Sequence, residues 1–296
     1  MEVDRAFRRA MFIVAAKPRR ISVERRSAQS TMKRVQPQPD WPKTWQESYP
    51  YDLDEVYGQI SNHGYAYAYQ NRRRRTLDLL TEVLEPGARI LDIAAAQGNF
   101  SLALGELGFD VTWNDLRADL ADYVRLKYER GQLRFAPGNA FELQFPSLFD
   151  AVLITEIIEH VAHPDDFLAK AAALVRPGGY VVMTTPNGGY FKNPLPKFSD
   201  CADPAVFESV QFKPNADGHI FLLHADEIEP LARRAGLSVD RIALFTNPLT
   251  AGHVKTEALL RVTPRAVVNA LETATQSLPA FLKRKALVQM AVRFCR

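Results

Sequence analysis

The chain has 296 residues, 47% of them hydrophobic and 24% charged, with a formal net charge of +3. That balance supports a buried core and excludes a disordered or collagen-like polymer, and the length suits one catalytic domain with appendages. The two cysteines, Cys201 and Cys295, are too few and too far apart in the chain for a disulfide framework or a thiolate zinc site. No apolar run reaches the roughly 20 residues of a bilayer span, so the sequence reads as a cytoplasmic protein with free thiols.

The charge is uneven. Met1 to Gln36 carries ten Arg or Lys against Glu2, Asp4 and Glu24, and from Arg261 onward seven basic residues face Glu272 alone. Residues 1–42 read as a basic leader closed by the proline-rich linker QPQPDWP, Gln36 to Pro42. Basic ends suit an anionic membrane, an acidic partner or nucleic acid, or are simply solvated. No RNA-binding module accompanies them, and the early acids count against a mitochondrial import signal.

Residues 43–250 are expected to form the catalytic domain. Trp45, Tyr49, Tyr51, Tyr57, Tyr65, Tyr67 and Tyr69, then Arg72 to Arg75 and the periodic Leu77, Leu80 and Leu84, predict an N-terminal helical cover ending at Pro86-Gly87. From Arg89 short apolar strands alternate with helical stretches. Strands are expected at Arg89–Ile93, Asp110–Asn114, Leu133–Pro137, Phe149–Thr155 and Tyr180–Thr185. The intervening helices fall at Phe100–Leu107, Leu116–Glu129 and Asp165–Val175, the last stopped by Arg176-Pro-Gly-Gly179. This is the order of a doubly wound α/β sheet, which binds ligands beyond the carboxyl ends of its strands. Asn187 to Gly218 lacks helical period and suits a lid or acceptor-binding insertion near residues 187–218. A helix from Asp226 to Arg234 and a strand over Leu237–Phe245 follow. Residues 251–296 are expected to be a basic helical extension; within it, Lys283, Arg284 and Lys285 beside Phe281, Leu282, Leu287, Val288, Met290, Val292 and Phe294 suit an interfacial helix on anionic lipid, or a helix packed on the domain with its basic residues solvated.

After the first strand the chain reads Asp92-Ile-Ala94-Ala95-Ala96-Gln97-Gly98-Asn99-Phe100. Small residues at a strand-to-helix turn let a ligand approach the backbone, and the helix start offers amide donors to a carboxylate. Asp115, with Leu116 after it, places an acid at the tip of the second strand, where a carboxylate can take both hydroxyls of a ribose. A dinucleotide site would show G-x-G-x-x-G; here Gly98 is the one glycine of the turn, which disfavours a nicotinamide cofactor.

The strings LDIAAAQGN, TWNDL, APGNAFEL, FDAVLITEIIEHV and LVRPGGYVVMTTPN resemble, in order and spacing, the class I S-adenosylmethionine-dependent methyltransferases over about Asp54 to Pro248. Glu156-Ile-Ile-Glu159-His160-Val161 with Thr185-Pro186-Asn187 is most similar to the branch holding ubiquinone-pathway O-methyltransferases and metal-dependent small-RNA 3′-terminal methyltransferases. The resemblance implies a Rossmann-like, mostly parallel seven-stranded sheet with helices on both faces. It implies S-adenosylmethionine held by Asp92, Ala94, Ala96, Gln97, Gly98, Asn99, Asp115, Leu116, Asn139, Ala140 and Thr155. Three positions depart from the family pattern: alanine at 94 and 96 where glycine is usual, and Asn139 where an acid is usual.

Glu156, Glu159 and His160 at i, i+3 and i+4 would share one face of a helical turn. With His219 they form a candidate set for Mg²⁺ or Mn²⁺; without an ion, His160, His219 and Glu156 are the candidates for proton removal. The expected reaction is O-methylation of a small hydroxylated metabolite. The alternatives are methylation of an RNA ribose and a non-catalytic cofactor-binding protein. Oligomeric state is not legible.

Overall fold

The computed structural model describes residues 32–211 and 218–296. Most of the basic leader, and residues 212–217 of the expected 187–218 insertion, lie outside the described residues. Residues 32–42, expected as a linker, pack onto the domain: Met32, Val35 and Trp41 are buried against Leu120, Tyr123 and Val124, and the Lys33 amide donates to Lys127 O at 3.0 Å. Extended proline-rich backbone leaves alternate apolar side chains free to bury, so composition alone did not mark it as docked.

The cover is two helices, α1 (Lys43–Glu55) and α2 (His63–Thr81). Asn62 caps α2 by accepting from the Tyr65 amide at 2.9 Å. The alternation of strand and helix then follows: β1 (Arg89–Ile93), α3 (Asn99–Glu106), β2 (Asp110–Trp113), α4 (Leu120–Lys127), β3 (Gln132–Phe135), β4 (Phe149–Thr155), α5 (Pro164–Ala173) and β5 (Val175–Pro186). After the 187–218 segment come α6 (Ile228–Arg234), β6 (Ser238–Phe245), the short α7 (Glu257–Leu260), α8 (Arg265–Gln276), α9 (Ala280–Ala286) and β7 (Gln289–Cys295).

The seven strands form one sheet in the order β3-β2-β1-β4-β5-β7-β6. The first five are parallel, and β7 runs antiparallel between β5 and β6. Continuous apolar runs such as Ala151 to Ile154 are buried on both faces, as a sheet covered by helices on each side requires. The order of strand connection reverses at β1/β4, so the crevice above those two parallel strands is the expected binding edge.

Two expectations are corrected. The Arg176-Pro-Gly-Gly179 stop lies inside β5, at a register irregularity where Val175 pairs with Phe149 and Tyr180 with Ala151. The C-terminal extension is not helical throughout: Gln289 to Cys295 is the seventh strand, with Met290, Val292 and Phe294 fully buried. Those side chains, assigned to an interfacial face, are core.

Candidate active site

The turn after β1 departs from ordinary backbone at alternate residues. Ala94 and Ala96 have φ of 51° and 47°, and Gly98, the N-cap of α3, has 73°. Left-handed backbone costs an L-residue roughly 1–2 kcal/mol, so the alanines stand where glycine would be unstrained. At Gly98 space also matters, because a Cβ there would lie 2.7 Å from Val124 Cγ2. Two contacts tie the turn to the end of β2: the Ala95 amide donates to Asn114 O at 2.8 Å, and Trp113 Nε1 donates to Ala96 O at 3.0 Å.

Beneath the turn Asp92 is fully buried; its Oδ2 accepts from Ser101 Oγ at 2.6 Å while Oδ1 has no hydrogen-bond partner. Burial pushes its pKa up to about 7, the Ser101 hydrogen bond opposing and the charge of Asp115 adding. Asp115, also buried, is fully engaged. Its Oδ1 accepts from the Arg117 amide and Nε, both at 2.9 Å; its Oδ2 accepts from Arg117 Nη2 at 3.0 Å and the Ala96 amide at 2.9 Å. Leu116 beside it is exposed, and Ala140 is buried. The Asn139 side chain closes its own loop, accepting from the Phe141 amide at 3.1 Å and donating to Glu142 at 2.8 Å. Asn114 Nδ2 donates to Ala136 O and Gly138 O, fastening that loop to the end of β2.

Asn99 differs from expectation. Its side chain points into the molecule, with Nδ2 donating to Asp52 Oδ1 and Glu55 Oε2, each at 2.7 Å, and Oδ1 accepting from Lys127 Nζ at 2.8 Å. It therefore serves the turn through its backbone, as the first residue of α3. Lys127 is completely buried, and its ammonium also reaches Asp52 at 2.8 and 3.0 Å. Gln97 Nε2 donates to Glu55 Oε2 at 3.1 Å, and Tyr65 OH to Glu55 Oε1 at 2.5 Å. Burial raises the Glu55 pKa. Through these bonds α1 closes over the turn after β1. Sequence reasoning placed Tyr65 in the cover but missed Asp52, Glu55, Lys127 and Arg117.

At the end of β4, Thr155 is half-buried and Glu156 takes φ of 53°, which breaks the expected helical face. Glu156 turns to the cover: its Oε2 meets Arg72 Nη1 at 3.0 Å, and Oε1 accepts from Thr184 Oγ1 at 2.9 Å. A single 3-10 turn, Ile158–His160, follows. The Ile220 amide donates to Glu159 O at 2.7 Å, which draws residues 218–224 alongside. His160 and His219 thereby stand with ring centroids 4.9 Å apart, and ligand atoms of Glu159, His160 and His219 all lie within 4.8 Å of one another. Among the described residues the four-membered set expected from sequence is thus three-membered, with Glu156 outside it. Glu159 is buried, its Oε2 accepting from Thr185 at 3.1 Å and its Oε1 without a hydrogen-bond partner. Burial first, and then the Glu156 charge, raise its pKa.

Beyond β5, Gly188, Tyr190, Lys197, His224 and Lys285 line a cleft of about 320 Å³. The early part of the 187–218 segment supplies one wall, and α9 supplies Lys285.

A left-handed turn on β1, an acid at the end of β2 and a polar cluster at the end of β4 define the site of an α/β protein built on the class I methyltransferase plan. The comparisons agree: residues 65–242 match the family model described as a methyltransferase domain, and the chain belongs to that family. It is 34% identical over 120 residues to the mitochondrial ubiquinone biosynthesis O-methyltransferase of Schizosaccharomyces pombe, covering 37% of this chain and 43% of that one. It is 31% identical over 179 residues to the ubiquinone biosynthesis O-methyltransferase of Stutzerimonas stutzeri, covering 58% and 74%. The chain thus spans less than half the length of the first curated relatives it matches, 43% and 44%.

Among solved structures, Haemonchus contortus phosphoethanolamine N-methyltransferase 2 in complex with S-adenosyl-L-methionine aligns with a TM-score of 0.53 at 19% identity, over 85% of this chain and 57% of that one. An S-adenosylmethionine-dependent methyltransferase from Mesorhizobium loti aligns at 0.50 and 15%, over 78% and 98%. At those identities the likeness speaks to the fold. Among the described residues no helix is long and apolar enough to cross a membrane.

Proposed function

We propose that this chain transfers the methyl group of S-adenosylmethionine to a hydroxyl oxygen of a small acceptor. The observation that carries the reading is the juxtaposition, along one sheet edge, of a left-handed turn over the orphaned Asp92 Oδ1 with the buried acid Asp115. The cofactor fits these residues. A buried carboxylate oxygen lacking a partner suits a ligand ammonium, Asp115 suits two ribose hydroxyls, and the exposed Leu116 with Ala140 and Asn139 suits an adenine edge. Gln97, Gly98, the backbone of Asn99 and Thr155 would hold the methionine part. Bound there, S-adenosylmethionine supplies an electrophilic methyl attached to sulfur.

The chain's own residues then orient the acceptor and take its proton. An alcohol is a poor nucleophile unless its proton is removed as the C–O bond forms and the S–C bond breaks. His160 and His219, beside Glu159, are the groups at the acceptor edge suited to that removal. Alignment of the reacting atoms supplies much of the acceleration, up to roughly 7–11 kcal/mol in model reactions. O-methylation is supported by the relatives, which are O-methyltransferases by name.

The same cluster supports a second reading, a divalent cation held by Glu159, His160 and His219. The orphaned Glu159 Oε1 favours it, since a cation would satisfy that oxygen and offset the cost of burying the charge. Mg²⁺ or Mn²⁺ bound there would lower the pKa of a coordinated hydroxyl. Labelled methyl transfer into a metabolite extract, with and without chelator, tests both. Labelled product that forms only before chelation supports the ion; equal product with and without chelator leaves the histidines alone; no labelled product in any extract contradicts the enzyme.

A further inference from the structure

The connection from β6 to β7 spans residues 246–288 and carries α7, α8 and α9. α8 buries little: Val268 and Glu272 point inward, while Val267, Ala270, Leu271 and Ala274 are all solvent-exposed. Their offsets of 0, 3, 4 and 7 put them on one apolar stripe about 100° wide, with Val267 47% and Leu271 40% exposed. A stripe of that width ordinarily packs on a core, and here it faces out. The neighbouring helices repeat the pattern, with Leu259 and Val262 exposed at α7 and Phe281 and Leu282 on α9.

Charge indicates the occupant. Residues 246–288 contain six Lys or Arg against two acids, Glu257 and Glu272. Both acids are engaged internally: Glu272 accepts from the Asn247 amide at 2.9 Å and from Thr250 Oγ1, and Glu257 accepts from the His63 and Gly64 amides at 3.0 Å. Arg261 also reaches Glu257 at 3.5 Å, and the remaining surface charge is positive, from Lys255, Arg265, Lys283, Arg284 and Lys285. A second copy would set this cluster against itself. The leader, with ten basic residues against three acids, is equally mismatched. An anionic lipid surface satisfies both the exposed apolar side chains and the lysines and arginines around them.

We infer that the α7–α9 connection is a membrane-docking face that seats the protein on anionic bilayers without crossing them. Lys285 on α9 also lines the cleft beyond β5, so docking would bring the acceptor edge of the sheet close to the lipid surface.

Flotation of the full chain tests this, using vesicles of phosphatidylglycerol and phosphatidylcholine against vesicles of phosphatidylcholine alone. The protein should float with the anionic vesicles and much less with the neutral ones, and 0.5 M salt should weaken the association. Val267→Glu with Leu271→Glu, and separately Lys283→Gln with Arg284→Gln and Lys285→Gln, should each reduce binding roughly tenfold or more. All these positions are surface sites, so thermal unfolding serves as a folding control for each variant. Absence of flotation with anionic vesicles overturns the inference, as does flotation that both variants retain. A wild-type dimer in sedimentation that Val267→Glu with Leu271→Glu dissociates would assign the face to a second copy and overturn it equally.

Discussion

Arg117 grips Asp115 with its amide, Nε and Nη2, so the carboxylate suited to a ribose is already bonded on both oxygens by the chain's own residues. The guanidinium is about half exposed, which limits the strength of the pair and lets it swing out to solvent. If Asp115 takes the ribose, as the proposed function has it, Arg117 competes for that position.

Arg117→Ala should tighten binding of S-adenosylhomocysteine by up to about fivefold, because an exposed pair contributes up to roughly 1 kcal/mol. Salt should strengthen wild-type binding relative to the variant, since screening weakens the internal pair. Titration calorimetry at two ionic strengths reads both effects; weaker binding by the variant would show that Arg117 contacts the ligand instead.

Lys127 and Asp52 form a wholly buried pair that also holds Asn99 at the start of α3. Lys127→Met strands the Asp52 charge and should cost about 3–5 kcal/mol in urea unfolding. Asp52→Leu with Lys127→Met removes both charges and should recover at least half of that loss. The double variant should still bind S-adenosylhomocysteine more weakly than wild type, because Asn99 keeps only its bond to Glu55 and loses those to Asp52 and Lys127. Full recovery of binding along with stability would make the pair purely structural.

Much of this arrangement is written locally, and some is not. The β1 to β5 apolar runs and the Asp92 to Asn99 and Asp115 signals are short-range, so periodicity and small residues expose them. The strand at Gln289–Cys295 had a signal too: Val288, Met290, Val292 and Phe294 repeat every second residue, a strand period obscured by the helical, basic stretch just before it. Asp52, Glu55 and Lys127 are different. Each is drawn into the buried cluster by partners 10 to 75 positions away, and nothing in its own sequence distinguishes it from a solvated charge. Glu156 was misplaced because a left-handed residue ends the helical register that spacing assumed.

Because β7 lies between β5 and β6, a chain ending at Val288 should lose cooperative unfolding by calorimetry. A dispensable tail would leave the transition intact.

The raised pKa of Asp92, about 7 against 3.8 for the free side chain, fixes the sign of a pH effect. The folded protein holds this proton more tightly than the unfolded chain, so the stabilisation is complete below about pH 4 and is lost as pH rises through about 7. The ammonium of a bound ligand prefers the ionised form. S-adenosylhomocysteine affinity should therefore rise with pH toward 7, by up to about tenfold per unit, and Asp92→Asn should flatten the profile. A wild-type profile as flat as that of the variant would separate Asp92 from the ligand.

The most direct measurement is calorimetric titration of S-adenosylhomocysteine into the wild-type chain and Asp115→Ala. The account predicts one site per chain, with binding weakened at least tenfold in the variant while thermal unfolding shows it folded. No heat of binding to the wild type, or equal affinity for both proteins, would contradict it.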